Sequence, residues 1–182
     1  MALIVLDLEY NQPSRRIIQI GAVRVYPEKA MIEPFFREDV NPREPLDPHI
    51  TKLTGITPER AEAAHGLEVV AQAFWKQAAR DERVVIGGWG DDTRKLLRDS
   101  HKAGVITPRV ESLDLSTLWK LLKTMGGPEV RPRPWSCGLK RVMRYYGVEF
   151  DGAQHDALTD ARATGEVLMR MAQEVGGLLG VL

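Results

Sequence analysis

Short apolar runs separated by polar turns open the chain and predict three β-strands. Residues 2–8 form an almost continuous apolar run, which is typical of a strand buried on both faces. Residues 16–26 are rich in β-branched side chains and are closed by Pro27. Residues 31–38 contain Pro34, which indicates a sheet edge or a bulge because proline has no N–H for the ladder. Three such strands in succession predict an antiparallel meander.

Helical periodicity dominates after residues 39–57, a proline-rich stretch that is predicted to be loop. Thr57 followed by Pro58 is a helix-start signal. The remaining predicted elements are a helix over 67–80, a strand over 83–88, a helix from Asp91 or Asp92 to Gly104, a strand or turn leading into a helix within 112–124, a helix from Ser136 to Gly147 and a helix from about Asp156 to Glu174. This order predicts an α/β fold with a mixed central sheet, antiparallel in its first three strands and flanked by helices.

Composition narrows the class of protein. A length of 182 residues is most simply one domain, residues 1–182. The lone Cys137 excludes an internal disulfide and a multi-cysteine zinc site, and it favours a reducing, intracellular setting. No secretory signal or bilayer-spanning apolar run is present in the sequence, so we expect a cytoplasmic protein without a membrane partner. The balance of 25 basic and 25 acidic residues disfavours a general nucleic-acid coat protein, but it allows an acidic pocket with a basic rim.

Two acidic residues near the end of the first predicted strand indicate metal chemistry. Asp7 and Glu9 are two residues apart, so their side chains share one face of the strand. Two neighbouring carboxylates repel each other, and their burial is costly unless a cation is present. A metal-binding pair is one interpretation, and the alternative is that one of them faces solvent or pairs with an arginine.

A second acidic position follows the glycines of GGWG, where the chain turns from a strand into a helix. Asp91 and Asp92 would both suit the N-terminus of that helix as capping residues. Leu96 lies four residues after Asp92, which matches a helix face turned towards the core. Asp92 is therefore the preferred ligand, and Asp91 remains the alternative.

His155 and Asp160 form the last polar pair. On one ideal helix they would be separated by roughly 140°, so they converge only if His155 lies in the loop that enters the helix. Asp156 shares a face with Asp160 and is a rival ligand, although an acid at a helix N-terminus also has a purely structural role. A two-metal phosphodiester hydrolase needs four carboxylates for two divalent cations and a histidine as general base, here Asp7, Glu9, Asp92, Asp160 and His155.

Basic and aromatic residues alternate within residues 131–146. Such a pattern suits a track for single-stranded nucleic acid, because cations bind phosphates and rings stack on bases. The alternative is a solvated helix face with core aromatics.

Together, these segments resemble the DEDDh group of 3′–5′ exonucleases in the ribonuclease H-like superfamily. The three motifs are VLDLEY, GGWGDDTRKLL and HDALTDARAT, in a similarity that spans about residues 3–170. Their style is nearest to the Eri-type and sporulation-inhibitor-type exonucleases. The resemblance implies a single exonuclease domain that hydrolyses the 3′ ends of single-stranded RNA or DNA and releases nucleoside 5′-monophosphates.

The resemblance also assigns roles to individual residues. It implies that two Mg²⁺ or Mn²⁺ ions are held by Asp7, Glu9, Asp92 and Asp160, and that His155 is the general base. The terminal nucleotide would contact Leu8, Glu9 and Tyr10, and Leu53 in the segment ITKLTGIT would wedge beside its base. Tyr10 and Asn11 stand where proofreading subunits of the group have the small pair Thr-Thr or Thr-Gly after the glutamate. Gln19 stands where a glutamate is usual.

Two rival functions remain open. One is a catalytically silent nucleic-acid-binding module of the same fold. The other is an HD-type metal phosphohydrolase built on His155 and Asp156, which the β-rich first 40 residues and the presence of only four histidines disfavour. The choice between RNA and DNA and the oligomeric state are not determined.

Overall fold

A five-stranded mixed sheet lies at the centre of the computed structural model, which describes residues 3–80, 84–125 and 137–179. Its strands are β1 (Leu3–Tyr10), β2 (Ile17–Tyr26), β3 (Met31–Asp39), β4 (Val84–Gly88) and β5 (Val110–Asp114). They lie in the order β3-β2-β1-β4-β5, with β1, β2 and β3 antiparallel and β4 and β5 parallel to β1. The predicted antiparallel meander and mixed sheet are therefore confirmed.

The third strand lies at the sheet edge, as its proline indicates. Ala22 of β2 pairs with Phe36, whereas Val23 pairs with Pro34, so the register shifts by one residue at Phe35. A bulge on an edge strand accommodates a residue that cannot donate to the ladder.

Seven α-helices surround the sheet in the described part of the chain. They are α1 (Pro48–Thr54), α2 (Pro58–Ala63), α3 (Leu67–Ala78), α4 (Asp92–Lys102), α5 (Leu115–Met125), α6 (Leu139–Tyr146) and α7 (Ala157–Leu179). Within these residues, none of the helices combines the length and the apolar character that crossing a membrane requires.

Helix α1 corrects the prediction that residues 39–57 are loop. The side chain of Asp47 accepts a hydrogen bond from the backbone N–H of His49, and Pro48 occupies the first helical position. Gly55 ends the helix with a φ of 72°. Proline is well suited to the first turn of a helix, so these residues start a helix here instead of preventing one.

Two helix boundaries also differ from the sequence-based prediction, the start of α6 and the end of α7. Helix α6 begins at Leu139 with Gly138 as its N-cap, while the predicted cap, Ser136, lies outside the described residues. Helix α7 begins at Ala157 and extends to Leu179, beyond the predicted end. Amphipathic periodicity locates a helix body well, but its ends depend on local caps.

Alternate residues of β1 face two different helical layers. Ile4 and Leu6 pack in the same apolar cluster as Phe74 of α3 and Leu96 of α4. Val5, which points the other way, packs with residues that include Leu168 of α7. Because side chains alternate along a strand, Asp7 and Glu9 share the face of Val5, towards α7.

The start of α7 lies directly against β2. A Cβ at Gly21 would be only 2.1 Å from the backbone carbon of Ala157, so only glycine allows this approach. Gly21 is the cross-strand partner of Asp7. The first turn of α7 is thereby placed beside the acidic end of β1.

Candidate active site

The first two acidic residues lie near the carboxyl end of β1. Asp7 pairs with Gly21 and Glu9 pairs with Gln19 across the β1–β2 ladder. Glu9 is buried and Asp7 is partly buried. Their common face is the one that α7 covers, so both carboxylates point towards the helix that carries Asp160.

The structure brings Asp92 rather than Asp91 to this pair. Asp92 begins α4, and its carboxylate accepts hydrogen bonds from the Tyr10 hydroxyl and from the backbone N–H of Leu8. The side chain of Asp91 is 52% exposed and its Oδ1 lies 2.7 Å from Nε of Arg94. Asp92 is thus fixed against β1, whereas Asp91 points away from it.

His155 and Asp160 converge because only Asp160 belongs to the helix. Asp160 lies in the first turn of α7, and His155 precedes the helix with a φ of 63°. Nδ1 of His155 is 4.0 Å from Oε1 of Glu9. One potential ligand atom from each of Glu9, His155 and Asp160 lies within 4.8 Å of the others.

Asp156, the rival ligand, has other partners. Its Oδ2 is 2.5 Å from Nη2 of Arg37, and its Oδ1 accepts a hydrogen bond from the backbone N–H of Thr159 at 3.2 Å. Asp156 therefore caps the start of α7 and forms an ion pair across to β3.

Proximity and burial make the four carboxylates difficult to ionise together. Burial, with a further contribution from the neighbouring acids, raises the pKa of Glu9 to about 8 and places that of Asp7 well above its usual range. Burial also raises the pKa of Asp92 and of Asp160 to about 6 each. Such a cluster favours either protons or a bound cation.

One carboxylate oxygen shows that the cluster fits a cation. Oδ1 of Asp160 is buried and has no hydrogen-bond partner among the described residues. An unsatisfied buried carboxylate oxygen is costly by itself, but it is a suitable ligand for a metal ion. The donors are predominantly oxygen, which Mg²⁺ and Mn²⁺ prefer.

His155 is held in its neutral form. Burial lowers the pKa of its imidazole, and the nearby positive charge of Lys140 lowers it further. A neutral imidazole can accept a proton at neutral pH, which is the property that a general base needs.

A cleft of about 480 Å³ opens beside these residues. Asp7, Asp160 and His155 form one part of its lining. The lining also includes basic and aromatic side chains, namely Lys140, Arg141, Arg144, Trp89 and Phe150. The cleft therefore offers both negative charge for cations and positive charge for phosphates.

The basic-aromatic segment 131–146 is only partly represented in this cleft. Arg131, Arg133 and Trp135 lie outside the described residues. Tyr145 and Tyr146 are elsewhere: Nζ of Lys123 lies 4.4 Å and 5.3 Å from the centres of their rings. In the described part, the basic residues of the segment line the cleft, whereas the two tyrosines contact Lys123 outside it.

The predicted nucleotide contacts have mixed surroundings. The side chain of Leu8 is buried in the core cluster of β1, and Tyr10 is bound to Asp92. Leu53 lies on α1, is 38% exposed and does not line the 480 Å³ cleft.

Gln19 is a residue of the site whose role the sequence did not reveal. Its Oε1 accepts a hydrogen bond from the backbone N–H of Ala157 at 2.7 Å, and its Nε2 donates to Asp39 at 2.9 Å. Gln19 thus fixes the start of α7, and with it Asp160. The only signal in the sequence was the glutamate that the resemblance leads us to expect at this position.

Residues 4–168 match a family model described as an exonuclease, RNase T. The chain belongs to this exonuclease family. Among its relatives, a Mycobacterium tuberculosis protein named as a bifunctional exonuclease/endonuclease is 30% identical over 165 residues, 90% of this chain and 24% of the relative. The ERI1 exoribonuclease 2 of Danio rerio is 26% identical over 200 residues, 93% of this chain and 34% of the relative. The chain thus spans less than two thirds of either relative.

The exonuclease-family fold is seen in solved structures. The nuclease domain of 3′hExo, described as a DEDDh family member bound to rAMP, superposes with a TM-score of 0.78 over 95% of this chain and 92% of that domain, at 18% identity. The predicted ribonuclease H-like fold and the DEDDh resemblance are therefore confirmed. The mixed sheet also rules out the all-helical HD-type phosphohydrolase.

Proposed function

We propose that this chain is a metal-dependent 3′–5′ exonuclease that hydrolyses the terminal phosphodiester bond of single-stranded nucleic acid and releases nucleoside 5′-monophosphates. The observation that carries the proposal is the convergence of Asp7, Glu9, Asp92 and Asp160 with His155. Asp7, Asp160 and His155 line a cleft that also has basic and aromatic side chains, and Glu9 lies beside His155 and Asp160. A carboxylate cluster suits cations, and basic side chains suit the phosphates of the substrate.

The four carboxylates would hold two Mg²⁺ or Mn²⁺ ions, for which the buried, unsatisfied Oδ1 of Asp160 is the best structural support. Bound ions of this kind would lower the pKa of a water molecule and offset charge on the phosphate and on the leaving 3′ oxygen. Tyr10 would keep Asp92 in position through its hydroxyl.

His155 would accept the proton of the attacking water. Its neutral imidazole lines the cleft and remains partly exposed, so the proton can pass from it to solvent. Its backbone N–H also donates to the Asp160 carboxylate. This hydrogen bond couples the position of the base to that of a metal ligand.

The basic side chains of the cleft would orient the substrate. Lys140, Arg141 and Arg144 offer countercharge to phosphates, and Trp89 and Phe150 offer apolar surface to a terminal base or sugar. The name of the Danio rerio relative, an exoribonuclease, and the rAMP bound to 3′hExo support a substrate with a free 3′ terminus, RNA included.

Strands of RNA and DNA labelled at the 5′ end test the proposal directly. In Mg²⁺ or Mn²⁺ we expect a ladder of products that shortens from the 3′ end, and in EDTA we expect none. The relative rates would identify the preferred polymer. If neither strand were degraded under any metal, the catalytically silent binding module would be the better assignment.

Asp92 and Asp91 provide a matched pair of variants, because Asp→Asn removes the same charge from adjacent residues. Asp92→Asn is expected to lower kcat by about a hundredfold or more, since even supporting residues of metal sites cost about 10–100-fold. Asp91→Asn is expected to stay close to wild type because its side chain points to Arg94. Single-turnover rates measure both, and circular dichroism checks the fold. A larger loss in Asp91→Asn would overturn the ligand assignment.

A further inference from the structure

A second groove, of about 810 Å³, lies next to the carboxylate cluster and outside the catalytic cleft. Its walls come from residues 14–17 in the turn between β1 and β2, residues 40–43 after β3, residues 67–68 at the start of α3, and one side of α4 with the residues flanking it. Segments that are distant in sequence therefore build one continuous surface.

The second groove is basic in a chain whose formal net charge is zero. Six basic side chains line it against three acidic ones. No aromatic side chain is part of this lining. A ligand of this surface would therefore be recognised by negative charge and not by the stacking of rings.

Three of the six cations are already engaged within the protein. Arg16 donates to the backbone carbonyl of Pro42 at 2.6 Å, Arg43 forms an ion pair with Glu68, and Lys95 forms one with Asp99 at 2.5 Å. These contacts give the groove its shape.

The other three cations, Arg15, Arg98 and Lys102, are exposed and carry the positive excess. Within the described ranges, neither Arg15 nor Lys102 forms an ion pair. Arg98 reaches only Oδ1 of Asp99, at 3.5 Å, and the other oxygen of that carboxylate already binds Lys95. The positive charge of these three side chains is thus available to an external anion.

The groove begins where the carboxylate cluster ends. Cζ of Arg15 and Nζ of Lys95 each lie 5.4 Å from the centre of the Tyr10 ring, and the hydroxyl of the same ring bonds to Asp92. Along α4, Lys102 lies about 15 Å beyond Asp92 at 1.5 Å per residue. Helix α4 therefore extends from the carboxylates to the exposed side chains of Arg98 and Lys102.

We propose that the second groove binds the sugar–phosphate backbone of the single strand upstream of the nucleotide that occupies the catalytic cleft. The proposal rests on the proposed exonuclease function. A strand whose 3′ end reaches the carboxylates must continue away from them, and its phosphates need countercharge that the acidic cluster does not supply. The exposed cations of the groove, whose lining contains no aromatic side chain, provide such contacts independently of base sequence.

A double variant, Arg98→Ala/Lys102→Ala, tests the groove with little risk to folding, because both residues are exposed on a helix and alanine favours helix. Lys76→Ala/Arg80→Ala is the matched control: it also removes one lysine and one arginine, four residues apart, at the far end of α3.

Two substrates distinguish the catalytic cleft from the second groove. The p-nitrophenyl ester of thymidine 5′-monophosphate reports only on the catalytic cleft, whereas a single strand of about 20 nucleotides also reaches the groove.

We expect the groove variant to raise KM for the long strand about tenfold, with hydrolysis of the ester and kcat close to wild type. Since single strands release about 0.7 counterion per phosphate contact, log affinity plotted against log salt should become shallower by about 1.4. The control variant should match wild type in both respects. Fluorescence anisotropy of the labelled strand in EDTA measures affinity independently of catalysis.

The outcomes distinguish the groove from the proposed function. An unchanged KM and salt slope would overturn the groove while leaving the exonuclease intact. Equal losses on the ester and the long strand would also overturn it, because the two residues would then act at the catalytic centre. If wild type hydrolysed neither substrate, the exonuclease proposal would fail, and the anisotropy measurement would still decide whether the groove binds the strand.

Discussion

Tyr10 connects the carboxylate cluster to the second groove through its two ends. Its hydroxyl donates to Asp92, and its ring is approached by Arg15 and Lys95. Burial and then the charge of Asp92 raise the pKa of Tyr10 well above its usual range. The hydroxyl therefore stays protonated and acts as a donor that orients Asp92.

The variant Tyr10→Phe removes this donor and keeps the ring. We expect the Mg²⁺ concentration for half-maximal activity to rise about tenfold, because groups that orient metal ligands typically contribute 10–100-fold to metal affinity or activity. The control is Tyr26→Phe, because Tyr26 ends β2, whereas Tyr10 pairs with the start of that strand. A Mg²⁺ titration of the initial rate gives the comparison, and identical titration curves for both variants would show that Tyr10 does not position Asp92.

Gln19 illustrates how an amide can act where the resemblance leads us to expect a carboxylate. Its carbonyl oxygen accepts from Ala157 while its amide nitrogen donates to Asp39. A glutamate could make the first contact, but when ionised it would repel Asp39. A glutamine at position 19 is therefore consistent with Asp39 of β3 as its partner.

At the scale of elements, the contact between α7 and β2 decides where Asp160 lies. The variant Gly21→Ala would place a methyl group 2.1 Å from the backbone of Ala157, which cannot move without displacing the helix. We expect a loss of about 3 kcal/mol in the free energy of unfolding and a parallel loss of activity.

Urea denaturation measures the stability of this variant, with Gly138→Ala as its control. A Cβ at Gly138 has nothing within 4 Å, and its φ of −62° suits any residue. If both variants were equally stable, the close packing of α7 on β2 would not be essential to the fold.

The helices behind the cleft are joined by a buried charge. Nζ of Lys123 on α5 forms an ion pair with Glu174 on α7 and lies 3.2 Å from the hydroxyl of Tyr145 on α6. Tyr146 donates a hydrogen bond to the same Glu174 at 2.5 Å. These contacts hold the two tyrosines of the basic-aromatic segment beside Lys123 and Glu174 and away from the cleft, although Tyr145 remains 54% exposed.

At the scale of the whole molecule, charge is separated although the formal net charge is zero. Acidic side chains converge at the carboxyl end of β1, and basic side chains line both the cleft beside α6 and the second groove beside α4. Such an arrangement would attract a polyanion towards the carboxylate cluster.

The carboxylate cluster predicts how the free energy of unfolding depends on pH when no metal is bound. In the folded state the pKa values are about 8 for Glu9 and about 6 for Asp92 and Asp160, above the usual value of about 4 in an unfolded chain. The folded state therefore binds more protons between about pH 4 and pH 8. In EDTA, the contribution of the cluster to stability falls as pH rises through this window.

Mg²⁺ should reverse this loss, because cations replace the protons. We expect the increase in Tm on adding Mg²⁺ to be larger at about pH 8 than at about pH 5. Thermal unfolding in EDTA and in Mg²⁺ provides the measurement. In Asp7→Asn, which removes one of the repelling charges, both the pH dependence and the Mg²⁺ effect should be smaller. An equal Mg²⁺ effect at both pH values would contradict the role of the cluster.

The local pattern of the chain determined the elements and most of the candidate site. Apolar runs and helical periodicity located the first four strands and the bodies of most helices, because the spacing of apolar residues reflects which face of an element is buried. The fifth strand was predicted only as a strand or a turn within residues 112–124 and is β5, Val110–Asp114. The spacing of Asp7 and Glu9, and the position of His155 before a helix, also follow from local geometry. Helix α1 was missed although Asp47, Pro48 and Gly55 are local signals, since prolines dominate that stretch.

Only the tertiary structure determined the features that depend on contacts between residues distant in sequence. Asp92 is distinguished from Asp91 by Tyr10, 82 residues earlier, and Gln19 finds Ala157 138 residues later. The second groove is assembled from four separate segments, so no single stretch of sequence indicates it. Periodicity records which face of an element is buried, whereas the side chains that meet across elements are determined only when the elements pack together.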